Sequence, residues 1–315
     1  MLDVQTKALL DQLARLGLPP MSRLLPVAAR IAYKEGRKFS QPPTPAVGAI
    51  EPLSVPGPGG SIACRLYRPL SDDRSHPLPA LVFFHGGGFV IGDLDTHDVL
   101  CRQLANKAEC IVIAVDYRLA PEHKFPAAFD DSLAVTRWVS AHARNFGVDP
   151  ARLAVGGDSA GGNLAATVAL AIRDSGGVHL VFQLLIYPLT DQRNIAPSYE
   201  TNDGYLLTRD VIRYYREHYL NCSEETIDWR ASPLLATDLA GLPPALLLTA
   251  GFDPLRDEGQ QYADRMRDCG VKVEYRCFEG QIHGFILMGG VIDEANRAVD
   301  WCAAALARGF GGAQH

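Results

Sequence analysis

Leu153-Ala154-Val155-Gly156-Gly157-Asp158-Ser159-Ala160-Gly161 is the stretch from which the rest of the chain can be read. A short apolar run passes straight into a serine flanked by glycines, and a helical pattern over residues 163–174 follows. This is G-x-S-x-G in a strand-to-helix turn, the setting in which a serine hydroxyl is held exposed at the carboxyl end of a strand. Glycines let neighbouring backbone pass close by. The first turn of the helix points N–H groups at any charge that develops beside the serine. Alone, the pattern also describes a glycine-rich turn with a solvated serine, so its surroundings decide.

Outward from that turn, short apolar runs alternate with longer helical segments. The runs occupy residues 78–84, 110–116, 153–156, 181–187, 245–249 and 271–278, and the helical patterns 96–108, 126–143, 160–174, 255–269 and 293–308. Strand and helix alternating over some 240 residues predict an α/β fold with a mostly parallel central sheet and helices on both faces. Two pieces stand outside the alternation. Leu9, Leu10, Leu13 and Leu16 mark a helix that ends at Gly17 and Pro19-Pro20, and a second helix is expected from Ser22 to about Lys34. Residues 40–58, with six prolines, are expected to be an extended connector. Residues 191–236 are polar and tyrosine-rich, with one short helix at 209–219, and are too long for a plain connection. The expected organisation is an N-terminal helical cap segment at 1–45 and a catalytic domain at 46–315, with a cap insertion at about 191–236.

Composition narrows the function classes. The 315 residues carry 47% hydrophobic and 21% charged side chains, which excludes intrinsic disorder. A net charge of −6 with no basic cluster argues against a nucleic-acid or anionic-membrane surface. No uncharged apolar run reaches the ~18 residues of a membrane span, and the acidic start Met1-Leu2-Asp3 does not resemble a secretory signal. Seven cysteines (64, 101, 110, 222, 269, 277 and 302) show no C-x-x-C spacing and read as small buried hydrophobes in a reducing compartment. A cytoplasmic protein without metal or cofactor is the expectation.

His85-Gly86-Gly87-Gly88 follows the run that ends at Phe84. Three glycines leave amides bare enough to aim at a substrate oxygen, which acyl transfer to serine requires because its tetrahedral intermediate carries an oxyanion. A phosphate loop fits less well: Gly86, Gly88 and Gly92 miss G-x-G-x-x-G by one residue, and no P-loop motif occurs. A nucleophilic serine needs a base, and the base an orienting acid, in the chain order Ser, acid, His. Of the histidines after Ser159, His315 is the last residue, His218 lies in the insertion and His179 begins a strand. His283 lies in a loop just past the last strand, at the sheet edge that carries Ser159. Asp253 follows the run 245–252 at the same edge; it could instead cap the helix beginning near Pro254, and Asp257 is the fallback acid. Arg118 and Glu122, in Asp116-Tyr117-Arg118-Leu119-Ala120-Pro121-Glu122, are expected to form a structural ion pair pinning the oxyanion loop rather than to bind substrate.

Residues 85–89, 116–122, 157–162, 253–259 and 283–285 together resemble the hormone-sensitive-lipase-like family of carboxylesterases within the α/β-hydrolase fold. The resemblance implies Ser159 as nucleophile, His283 as base and Asp253 as its partner. It implies an oxyanion hole from the N–H groups of Gly87, Gly88 and Ala160, and a cap over the site. It further implies a serine carboxylesterase acting on short- to medium-chain acyl esters, needing no cofactor, as a monomer or homodimer. Phe89, Tyr205, Leu206 and Ile212 are candidates to line an apolar substrate pocket, with ordinary packing of the insertion as the competing account. Two rivals share the pattern: an amidase or N-deacetylase on the same triad, and a non-catalytic receptor akin to the plant gibberellin receptors, which lack the catalytic histidine.

Overall fold

Eight strands form one sheet in the order β1-β2-β4-β3-β5-β6-β7-β8 in a computed structural model that describes residues 1–311. His315 lies outside the described residues. The strands are β1 (Ala49–Gly57), β2 (Gly60–Arg68), β3 (Leu78–Phe84), β4 (Ile111–Val115), β5 (Val148–Asp158), β6 (Leu180–Ile186), β7 (Ala245–Phe252) and β8 (Val273–Ile282). From β4 to β8 every pairing is parallel, whereas β2 runs antiparallel to both β1 and β4. The centre, β3 and β5, is buried on both faces, which is why these strands read as continuous apolar runs.

Helices cover the two faces. On one lie α4 (Ala127–His142), α5 (Ala160–Ser175) and α8 (Arg256–Asp268); on the other lie α3 (Asp98–Ala108) and α9 (Asp293–Gly309). Alternate strand residues supply the two cores: Val82, Phe84 and Val155 face α5, while Leu81, Phe83 and Ala154 face α3 and α9. Between β6 and β7 stand the one-turn α6 (Ser198–Thr201) and α7 (Arg209–Tyr219). Ahead of the sheet come α1 (Val4–Leu16) and α2 (Pro26–Ser40).

Two expectations are corrected. Residues 40–58 are not all connector: Ala49–Gly57 is β1, hairpinned to β2, which the pattern of apolar runs also missed. Pro52 and Pro56 lack an N–H and so disguise a strand, but β1 is the sheet edge, where one ladder side is unpaired and proline is tolerated. The second helix starts later than Ser22, with Pro26 in its first turn, and runs on to Ser40. A proline at the first helical position loses no hydrogen bond, so it starts the helix rather than stopping it.

Candidate active site

Ser159 sits between β5 and α5 with φ 57° and ψ −117°, a strained conformation for a residue with a Cβ. The turn is held because its surroundings leave no alternative. Ser159 N donates to Ile186 O (2.8 Å), and Asn163 N and Leu189 N donate to Ser159 O. A Cβ on Gly161 would run into Phe84 O, and one on Gly157 into both Phe84 O and the Gly161 carbonyl. The two glycines of the motif are therefore fixed by contact with β3.

His283 and Asp253 meet this serine from the ends of β8 and β7. Ser159 Oγ lies 2.9 Å from His283 Nε2, and His283 Nδ1 lies 2.7 Å from Asp253 Oδ2. Asp253 is fully buried, and its other oxygen accepts Leu255 N–H at 2.9 Å. Asp257 is turned elsewhere, accepting from Ser198 N and Arg256 Nε. His218 instead engages Tyr214 O within its own helix.

The glycine loop closes the site from the β3 side. Gly87 (φ 121°) and Gly88 (φ 60°) occupy left-handed backbone, and a Cβ on Gly88 would strike the Tyr215 ring. Gly86 N–H is taken by Asp158 Oδ1 at 2.8 Å, whereas those of Gly87 and Gly88 have no acceptor among the described residues. The pin on this loop is not the expected pair. Arg118 is matched with Asp131 (2.8 Å) and Glu122 with Arg30 (2.6 Å). Arg30, on α2, also donates to Val90 O (2.8 Å) and Ala120 O (2.9 Å), and Ala120 N donates to Phe89 O. Sequence could not pair Arg118 and Glu122 correctly because their partners lie on separate helices.

The candidate pocket residues are placed unevenly. Phe89 is buried and stacked on Tyr219, ring centres 3.8 Å apart, and Ile212 belongs to the same core. Tyr205 is half-buried with its ring edge on Phe252, and Leu206 is half-buried beside it in the other core. Tyr215, not singled out from sequence, is the aromatic that overlies Gly88.

The family described as alpha/beta hydrolase fold matches residues 81–287. Carboxylic ester hydrolase LipN of Mycobacterium tuberculosis is 46% identical over 270 residues, covering 82% of this chain and 71% of its own. Ethyl acetate hydrolase of Pseudomonas putida is 39% identical over 88% of this chain and 90% of its own. Among solved structures, an alpha/beta hydrolase enzyme from the metagenome of Lake Arreo superposes with a TM-score of 0.95 at 44% identity, covering 99% of both chains. The chain belongs to the hormone-sensitive-lipase-like carboxylesterases.

In this carboxylesterase a second polar pair includes the residue that precedes Ser159. His97 Nε2 lies 3.1 Å from Asp158 Oδ1, and both residues are buried. Burial alone would raise the Asp158 carboxyl, but His97 and the Gly86 N–H hold it below its ordinary value. His85 stacks on Tyr117 with ring centres 4.3 Å apart, and its carbonyl accepts the Tyr117 hydroxyl at 2.7 Å. Burial, then the neighbouring His97, pushes His85 down to about 4, so it serves as a neutral spacer. Asp158 was visible inside the serine motif and His97 just beyond the glycine loop, but only the fold joins them. All seven cysteines of the esterase are unpaired, and burial pushes the Cys110 thiol up to about 12. Among the described residues no helix is long and apolar enough to cross a membrane, and no group of three or more His, Cys, Asp or Glu is placed to hold a metal.

Proposed function

We propose that this esterase hydrolyses short- to medium-chain acyl esters through an acyl-enzyme on Ser159. The observation that carries the proposal is the unbroken hydrogen-bonded line Ser159–His283–Asp253 at 2.9 and 2.7 Å. Ser159 Oγ attacks the ester carbonyl while His283 Nε2 takes its proton. Asp253 fixes the imidazole tautomer and stabilises the imidazolium. The oxyanion is received by the free N–H groups of Gly87 and Gly88 with that of Ala160, at the start of α5, each such donor contributing roughly 3–4 kcal/mol. His283 returns the proton to the leaving alcohol, and water then cleaves the acyl-enzyme by the reverse route.

Residues 1–45 and about 191–236 form the cap in this proposal, and the half-buried Tyr205 and Leu206 face the acyl chain, while Phe89 and Ile212 pack in the other core. A limited apolar lining suits short and medium chains, and the ethyl acetate hydrolase relative supports a small substrate. Seven unpaired cysteines support a cytoplasmic setting, as a monomer or homodimer.

One panel tests the chemistry and the chain length together. p-Nitrophenyl esters from acetate to palmitate are expected to give maximal kcat/KM at or below medium length, and Ser159→Ala is expected to retain less than about a thousandth of kcat on the butyrate. A maximum at palmitate overturns the substrate class. Retained turnover in Ser159→Ala, or failure of a fluorophosphonate to label wild type, overturns the nucleophile.

A further inference from the structure

The free N–H groups of Gly87 and Gly88 are aimed by the groups that hold the peptides around them. Tyr117 Oη donates to His85 O (2.7 Å) and Gly86 N donates to Asp158 Oδ1 (2.8 Å), so the His85–Gly86 peptide is gripped at both ends. In the next peptide His85 Nδ1 lies 2.8 Å from Gly86 O. A carbonyl only accepts, so Nδ1 carries the proton. These peptides are trans, and a trans peptide points its N–H away from its C=O. Holding Gly86 O therefore aims Gly87 N–H to the opposite side. Gly87 O accepts Val90 N (3.1 Å) and Ile91 N (3.0 Å), which aims Gly88 N–H in the same way.

Among these grips Asp158 is the one whose chemistry requires a partner. It is buried, it directly precedes Ser159, and a Cβ on Gly86 would run into its Oδ2. An unpaired carboxylate there would set its charge against the oxyanion that the same loop has to receive. His97 meets that requirement. Its Nε2 lies 3.1 Å from Asp158 Oδ1, the oxygen that Gly86 N–H binds, and Gly86 N lies 3.3 Å from Nε2. A carboxylate oxygen only accepts, so two donors converge on it. The His97 ring is buried and is set from its other side, where Nδ1 lies 2.9 Å from Thr96 Oγ1. Thr96 is in turn tied to α2. Gln41 Nε2 donates to Thr96 O (2.8 Å), and Asp93, which accepts Thr96 N (2.7 Å), pairs with Lys34 (2.9 Å).

We infer that His97 is a positioning residue for the oxyanion hole: it pairs with Asp158, cancels the charge of that carboxylate beside the nucleophile, and fixes the oxygen from which the Gly86 end of the loop hangs. This rests on the esterase reading of Ser159 and assigns a second His–Asp pair to the same reaction. The two pairs act on different atoms. His283 and Asp253 handle the serine proton, whereas His97 makes no hydrogen bond to Ser159 among the described residues and acts through Asp158 and Gly86. The oxyanion exists only after attack, so a misaimed Gly87 N–H lowers kcat and leaves KM nearly unchanged.

The test follows p-nitrophenyl butyrate hydrolysis in wild type, His97→Leu, His97→Gln, Asp158→Asn and the double variant His97→Leu/Asp158→Asn. Rates are divided by the active sites titrated to completion with a fluorophosphonate, so loss of folded protein does not register. His97→Leu is expected to lower kcat per titrated site about 10- to 100-fold, with KM changed less than about threefold. His97→Gln restores a donor without the charge and is expected to recover part of the loss. Asp158→Asn keeps an acceptor for Gly86 N–H and removes the charge. Added to His97→Leu, it is expected to raise kcat about 10-fold above His97→Leu alone, whereas two residues that merely fill space give additive losses. The same comparison on the His97→Gln background carries the test if His97→Leu does not fold. A kcat within about twofold of wild type in His97→Leu, a loss confined to KM, or a double variant no faster than His97→Leu overturns the inference. An inactive wild type would instead defeat the esterase reading itself.

Discussion

Helices α5 and α2 are nearly equal in length, 16 and 15 residues; α5 begins directly after Ser159 and α2 grips the loop that leaves the glycine motif, yet they are held in opposite ways. Almost all of α5 is buried, including Leu164, Ala165, Val168 and Leu170, and its first turn presses on β3 through Gly161. Of α2 only Ala29 and Ser40 are buried, and Val27, Ile31 and Phe39 face solvent. What fastens α2 is its row of polar grips on the loop between the glycine motif and Thr96. Apolar burial builds the serine turn into the fold, whereas polar grips let a separate segment set the shape of the loop that follows the glycine motif. Stability should therefore reside with α5, and fine control of the reaction with α2.

The comparison breaks first at Leu164. Truncating this fully buried side chain to alanine is expected to cost about 2–5 kcal/mol in urea unfolding. A loss below about 1 kcal/mol would mean that α5 is not the stabilising helix. The counterpart on α2 is Arg30→Met, which removes the donors to Val90 O and Ala120 O and the pair with Glu122. That pair is substantially exposed and contributes at most about 1 kcal/mol to stability. Its loss is expected to lower kcat/KM about 10-fold, because the loop bearing Gly87 and Gly88 loosens. High salt should weaken wild type in the same direction by screening the grips. If Arg30→Met destabilises as much as Leu164→Ala, the division between the two helices fails.

The same contrast explains which features could be read before the fold was known. Strands β3 to β8 and the helices between them announce themselves because apolar burial imposes a period on consecutive residues. The Ser159 turn and glycine loop are likewise local, each dictated by backbone contacts within a few residues. Polar grips leave no such trace. Arg30 finds Val90, Ala120 and Glu122 at separations of 60 to 92 residues, and nothing in either segment names the other. The expected Arg118–Glu122 pair failed for that reason: neighbours in sequence with opposite charge were assigned to each other, when Asp131 on α4 and Arg30 on α2 held them. Strand β1 was hidden differently, by Pro52 and Pro56, whose missing N–H groups matter only in the sheet interior.

Not all the polar grips are exposed, and Glu258 on α8 supplies the other kind. Its Oε1 accepts Thr190 N (2.6 Å) and Asp191 N (3.1 Å), its Oε2 lies 2.7 Å from the Tyr199 hydroxyl, and the side chain is buried. It thereby fastens the start of the 191–236 insertion as Arg30 fastens α2. Burial is the dominant influence, and despite the two backbone donors it pushes the carboxyl up to about 8 from an ordinary 4.5. The folded state therefore binds this proton more tightly than the unfolded chain does. The resulting stabilisation is fully present below about pH 4.5, declines as pH rises, and is lost once pH passes about 8. Glu258→Gln keeps an acceptor for Thr190 and Asp191 and removes the titration. The stability of the variant relative to wild type should then improve from pH 5.5 to 8.5 by at least ~1 kcal/mol. Other raised acids, Asp116 and Asp130, titrate identically in both proteins and cancel in this difference. Added salt should leave the difference nearly unchanged, since a buried group is poorly screened, whereas it erodes the Arg30 grip. Parallel stability curves for the two proteins across that pH range would show that Glu258 stays ionised in its buried site. The insertion would then be held by a carboxylate, and its attachment would differ from that of α2 in depth alone.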